Sequence, residues 1–277
     1  MTSAITGRGF VGAKGLAAPR IVELLRGERT RLLAPETVMA LAAARLALRD
    51  AGLLPGRLAP EQLGIVVATR HAGLHDYVEL FETGVGGRRP ISPLQGPQTG
   101  LNAPAAHLSI RLRAAGPNAT IVGGSVGALD ALRYAAVALA DGRARAMLVC
   151  GCEAAPAVLP AAEGGAVAVV LEARDAGRSP RGGAVVRGVG TAFSPSGDLA
   201  DAHTRALAAA LRAAALASAD DVPLDAAPAG GSAAAALARV VHAAAALAGG
   251  GTVAVEALEE PGAAGVAVLE GCDEGAT

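Results

Sequence analysis

Apolar residues recur at helical spacing through TVMALAAARLALRDAG (37–52), with Glu36 at the start and a glycine at the end, which predicts a helix. The run LGIVVAT (63–69) is short, β-branched and uninterrupted, as a strand buried on both faces would be. HAGLHDYVELFETG (71–84) returns to helical spacing. RPISPLQGPQTGLNAP (89–104) is a loop by its Pro and Gly content, and it leads into the helix AAHLSIRLRAAG. ATIVGG, the helix 125–142, RAMLVCGCE and GGAVAVVLE (164–172) follow. A second series begins at VVRGVGTAF (185–193). It continues through a helix over 201–216, the short strand VPLDAA, an Ala-rich helix over 232–248, and the closing runs GTVAVEAL and GVAVLEG. Strands alternating with helices predict an α/β protein with a mainly parallel sheet covered on both faces. The chain divides into two α/β halves, 1–175 and 184–273, joined through EARDAGRSPRGG (172–183).

Composition sharpens this picture. Of 277 residues 52% are hydrophobic but only 2% aromatic, with no Trp, so the core is built from Ala, Val and Leu and its layers lie close together. The formal net charge is −1, and no basic cluster is interleaved with aromatics, which argues against a nucleic-acid partner. No run reaches the roughly 18 apolar residues of a membrane span, and MTSAITGRGFVG lacks the features of a secretory leader, so a cytoplasmic location is expected. Cys150, Cys152 and Cys272 are too few for a disulfide framework, and CGC lacks further ligands for zinc.

The segment GPNATIVGGSVGALDALRYAAVALADGRARAMLVCGCEA (116–154) resembles the β-ketoacyl synthases of fatty acid and polyketide assembly. In that family a strand ends at a cysteine that opens a buried Gly-Leu-Asp-Ala-Leu helix, and the next strand ends in Gly-x-Glu. Here GALDAL and GCE hold those places. LGIVVATRHAG, ISPLQGPQTGLNAPAAHLSI and EGGAVAVVLE resemble the family's early strand, its pocket and dimer segment, and the strand closing its first half. The resemblance implies a thiolase-like, layered αβαβα fold of two similar halves. The family's chemistry uses a cysteine thiolate to take an acyl group from a carrier protein, and two histidines to assist condensation.

This sequence departs from that pattern. Ser125 occupies the nucleophile position, and a hydroxyl without a base has too high a pKa to act as one. APAGGSA stands where a His-Gly-Thr turn belongs, and no histidine opens the Ala-rich helix. A deletion joining both turns near Pro228 to Ser232 accounts for both losses and shortens the second half. The aromatic gating turn is replaced by EPGAAGVAVLE (260–270). His242 lies about 15 Å along its helix from the entrance, and His203 is placed for a solvated or capping role. His71 and His75 share a face only if their segment is helical, with Asp76 and Glu79 the nearest further ligands, so no metal site and no cofactor are expected. His107 reads as structural or interfacial.

The resemblance therefore implies a non-catalytic subunit, similar to a chain length factor, that pairs with a complete β-ketoacyl synthase and meets an acyl carrier protein. Gly96, Pro97, Thr99, Asn102, Gly124, Ser125 and Val126 would line its tunnel or interface. In the family the strand before the nucleophile, here ATIVGG, pairs across a two-fold axis. Arg88, Arg89, Arg111 and Arg113 are either a carrier-protein contact or a solvated face. The alternative is an acyltransferase or thioesterase using Ser125, because Gly123-Gly124-Ser125-Val126-Gly127 satisfies Gly-x-Ser-x-Gly.

Overall fold

The computed structural model describes residues 2–12, 18–53, 56–85, 93–154, 164–173, 184–219, 222–226, 230–247 and 250–272. The first half contains β1 (Ser3–Gly12), α1 (Pro19–Leu24), α2 (Pro35–Asp50), β2 (Leu63–Thr69), α3 (Leu74–Val85) and α4 (Ala103–Leu112). It continues with β3 (Asn118–Val122), α5 (Ser125–Ala140), β4 (Ala146–Glu153) and β5 (Gly165–Ala173). The second contains β6 (Ala184–Phe193), α6 (Leu199–Ala214), β7 (Leu224–Asp225), α7 (Ala233–Ala246), β8 (Thr252–Glu259) and β9 (Ala263–Gly271).

The strands form one sheet in the order β3-β2-β4-β5-β1-β6-β9-β8-β7. It is mixed, not mainly parallel as the alternation of elements predicts. Only β2–β3, β2–β4 and β7–β8 run parallel, and the other five pairs are antiparallel. The reason is local: β4 is followed by β5, and β8 by β9, with no helix described between them, so each pair turns back on itself.

Two similar halves are visible in the element order. β1-α2-β2-α5-β4-β5 is matched by β6-α6-β7-α7-β8-β9. Residues 70–124, carrying α3, α4 and β3, separate β2 from α5, whereas only residues 226–232 separate β7 from α7. The second half is therefore shortened at the place where the two turns were expected to be fused, although Pro228 itself lies outside the described residues. So does most of the expected junction 172–183, while the sheet runs without a break from β5 through β1 to β6.

Five layers result. The central one is α5 with α7, whose buried faces (Leu129, Leu132 and Ala135; Leu237, Val240 and Ala244) meet one side of the sheet in both halves. α2 covers the other side of the first half, against Ile65, Leu148 and Val170. α6 does the same for the second through Ala202, Ala206, Ala210 and Ala214, spaced four apart on one face.

β1 was not expected from the sequence, because glycines interrupt its apolar pattern. Their reason is packing: a Cβ on Gly7 or Gly9 would lie 2.1 or 2.0 Å from the carbonyl oxygen of Ala47 or Ala43 in α2. Gly188 and Gly190 of β6 meet Ala210 and Ala206 of α6 in the same way, at 2.4 and 2.1 Å. α3 begins only at Leu74, so His71 lies in the preceding turn and shares no helical face with His75. No helix among the described residues is long and apolar enough to cross a membrane.

Candidate functional site

The ends of β2, β3, β4 and β8 converge with the starts of α5 and α7. Gly123, after β3, donates its amide to the Thr69 carbonyl at 2.9 Å. A Cβ on Gly124 would lie 2.1 Å from the Arg70 guanidinium and 2.7 Å from the Gly231 carbonyl, so glycine lets three segments meet. A Cβ on Gly151 of β4 would lie 2.6 Å from the Ala233 carbonyl at the start of α7.

Ser125 is the first residue of α5 and is 5% exposed. It does not cap the helix by accepting an amide, as a serine at a helix start commonly does. Gly124 is the N-cap, and Ser125 Oγ donates to the Leu258 carbonyl in β8 at 3.0 Å. The same carbonyl accepts the Gly230 amide at 2.8 Å. The carboxylate of Glu259 sits at the start of α5: its oxygens accept the Gly124 amide at 3.1 and 3.3 Å, and one accepts Arg70 Nη2 at 2.6 Å. A helix N-terminus favours an anion through its free amides and its dipole. Here the anion belongs to the chain itself.

Beside this group lies a second carboxylate. Glu153, ending β4 and 2% exposed, accepts the Arg70 amide at 2.5 Å, the His71 amide at 3.1 Å and the Thr69 hydroxyl at 3.3 Å. Burial raises its pKa against the pull of those amides. Glu36, at the start of α2 and 1% exposed, accepts the Gly73 amide at 2.7 Å, and burial raises its pKa too. The two carboxylates fix the turn 70–73, and burial and then Arg70 lower the pKa of His71.

Gly96, Pro97 and Thr99 form a short 3-10 turn ahead of α4, where Thr99 Oγ1 donates to the Gly96 carbonyl at 2.8 Å. Asn102 precedes α4 without a side-chain cap bond. The turn packs on Gly73, whose missing Cβ would lie 2.5 Å from the Thr99 carbonyl. Among the described residues no hydrogen bond joins Gly96–Asn102 to Gly124, Ser125 or Val126.

Among the described residues no histidine is hydrogen-bonded to Ser125. His242 is exposed on α7, His203 Nε2 is 3.2 Å from Glu256, and His107 Nε2 is 3.1 Å from Gln98 Nε2. Among the described residues no three His, Cys, Asp or Glu are grouped to hold a metal ion. Cys150 and Cys152 are fully buried, and the hydrogen bond between them, with burial, raises the Cys152 pKa well above its ordinary value, leaving a protonated thiol. Arg111 is bound to Glu28, and Arg88 and Arg89 lie outside the described residues.

Arg70 and Glu259 were not expected from the sequence. The signal available was an acidic pair, Glu259-Glu260, just before Pro261-Gly262.

Comparison with known proteins agrees with this fold. Among solved structures, the ishigamide ketosynthase/chain length factor superposes with a TM-score of 0.82 at 24% identity, over 99% of this chain and 100% of that one. The type II polyketide ketosynthase of the AntDE:AntF complex, with its acyl-carrier protein and a bound hexaketide, gives 0.76 at 16% identity over 98% and 99%. A β-ketoacyl synthase from Burkholderia phymatum gives 0.75 at 16% over 98% and 99%. No curated protein matches the sequence. The family model "Beta-ketoacyl synthase, N-terminal domain" matches residues 21–193, more than half of the chain. This chain, in which a carboxylate closes the start of α5, belongs to the β-ketoacyl synthase family.

Proposed function

We propose that this chain is a non-catalytic subunit, similar to a chain length factor, that pairs with a complete β-ketoacyl synthase in type II polyketide or fatty-acyl assembly in the cytoplasm and meets an acyl carrier protein through that pair. The observation that carries the reading is the occupied start of α5. The Gly124 amide is already bonded to Glu259, which Arg70 holds in place, and the Ser125 proton is directed at a backbone carbonyl. A nucleophile there would need a free anion-stabilising amide and a base within hydrogen-bond reach. No histidine bonds to Ser125 among the described residues.

The surface supports a partner. Among the described residues β3 is an edge strand, paired only to β2. On β3 and on α4, which packs beside it, Val122 and Ile110 are more than half exposed; so are Tyr77 and Phe81 of α3, a helix that buries none of its residues. An apolar face bordering a free strand edge is a pairing surface and, uncovered, an aggregation hazard. The halves 1–175 and 184–273 then divide the labour: the first supplies this face, and the second closes the site.

The strand-turn-helix at Gly123–Gly127 also matches the setting of a serine nucleophile, and a fluorophosphonate tests that alternative. Co-expression with a complete synthase should give a heterodimer by native mass spectrometry. Incubation with acyl-carrier protein should put no acyl group on this chain. A stable monomer that ignores the synthase, or an adduct on Ser125 from either reagent, would refute the reading.

A further inference from the structure

At the opposite end of the first half, a cavity of about 750 Å³ opens between α2, α4 and the segment leading into β2. Leu63 begins β2 here, whereas Arg70 follows its other end, about 20 Å away at 3.3 Å per residue. The cavity is therefore separate from the site around Ser125. Its floor is leucine: Leu48, Leu53, Leu58, Leu63 and Leu112, with Leu24 of α1 beside them. Its polar lining is arginine: Arg45, Arg49, Arg111 and Arg113, with no carboxylate among the lining residues.

The arginines fall into two pairs. Arg45 and Arg111 both bond to the Glu28 carboxylate, and Arg45 also donates to the Leu24 carbonyl at 2.7 Å, which ties α1, α2 and α4 together. That role accounts for two guanidinium groups. Arg49 and Arg113 are exposed, and their side chains make no hydrogen bond or ion pair among the described residues. Four positive charges against one negative leave a local excess, which a concave apolar wall concentrates.

We infer that this cavity binds an amphipathic acid, an alkyl carboxylate whose chain lies on the leucine floor and whose head group is held by Arg49 and Arg113. Each half of the lining excludes a simpler ligand. A bare anion has no use for six leucines, and a neutral alkyl chain has none for the arginine rim. The planar fork of arginine matches a carboxylate with two parallel N–H donors. The volume falls within the roughly 300–1,000 Å³ usual for small-molecule sites. The inference stands whether or not the chain pairs with a synthase, because no residue of the pairing face lines the cavity.

Isothermal titration of the full chain with dodecanoate tests it, alongside dodecanol and dodecyl phosphate. One equivalent of dodecanoate should bind saturably and more weakly as salt rises, dodecanol should bind far less, and Arg49→Gln/Arg113→Gln should lose about tenfold or more in affinity. Both substituted side chains are exposed, and the melting curve of the double variant checks its folding. A diazirine-bearing alkyl carboxylate should label peptides within 45–63 and 111–113. Equal binding of dodecanol, tighter binding of the phosphate, an unaffected double variant, no binding, or labelling confined elsewhere would each overturn the inference.

Discussion

Ser125 and Glu259 show how single residues decide what a helix terminus does. The start of α5 lowers the pKa of a thiol only if its amides face that thiol without a competing anion, and Glu259 is such an anion. A thiol placed at Ser125 should therefore not be reactive. Ser125→Cys is expected to alkylate slowly with iodoacetamide, and Ser125→Cys/Glu259→Gln about tenfold faster at neutral pH; equal rates would show that the carboxylate is irrelevant. Glu36 supplies a pH-dependent counterpart. Burial raises its pKa, so between the ordinary value of 4.5 and the raised one the folded chain binds more protons than the unfolded chain. That contribution to stability is whole below pH 4.5 and is lost as pH rises through the folded value. Glu36→Gln keeps an acceptor for the Gly73 amide but no charge, so urea titrations should show it gaining on the parent as pH rises through that window and then levelling off; an offset independent of pH would contradict the assignment. The start of α5 was legible in the sequence because GALDAL lies beside Ser125. Glu259 was not, because its bond to Gly124 spans 135 residues and no local pattern encodes it.

Among the elements, those legible in the sequence were the ones whose pattern packing leaves undisturbed. β2 is buried at all seven positions, so its run of apolar residues is unbroken. α2 and α5 were legible because apolar residues run through both, each burying ten of its sixteen residues. β1 escaped notice because α2 lies so close that two of its positions must be glycine, and the same contact recurs between β6 and α6. Gly9→Ala should accordingly cost about 3 kcal/mol, since the Ala43 carbonyl it meets belongs to helix backbone and cannot swing aside. Gly12→Ala, with nothing within 4 Å of its Cβ, is the control in the same strand. Thermal unfolding of the two compares them directly, and equal melting temperatures would mean that α2 shifts without cost.

For the molecule as a whole, the shortened second half leaves one side of β8 largely without a neighbouring strand, because β7 pairs with it only at Ala254 and Val255. The next two outward carbonyls are satisfied in other ways: Arg239 of α7 donates to Glu256 at 2.6 Å, and Ser125 and Gly230 donate to Leu258. Arg239 also donates to the Asp225 carbonyl of β7. Ser125 thus serves as a substitute rung on the ladder. The consequence concerns how far assembly can go. A sheet with two usable edges can add molecules at both and grow into a fibre, whereas one with a single usable edge is filled by its first partner. With the β8 side capped by side chains and β7 reduced to two residues, β3 is the long edge left open, and an assembly formed through it terminates at two molecules.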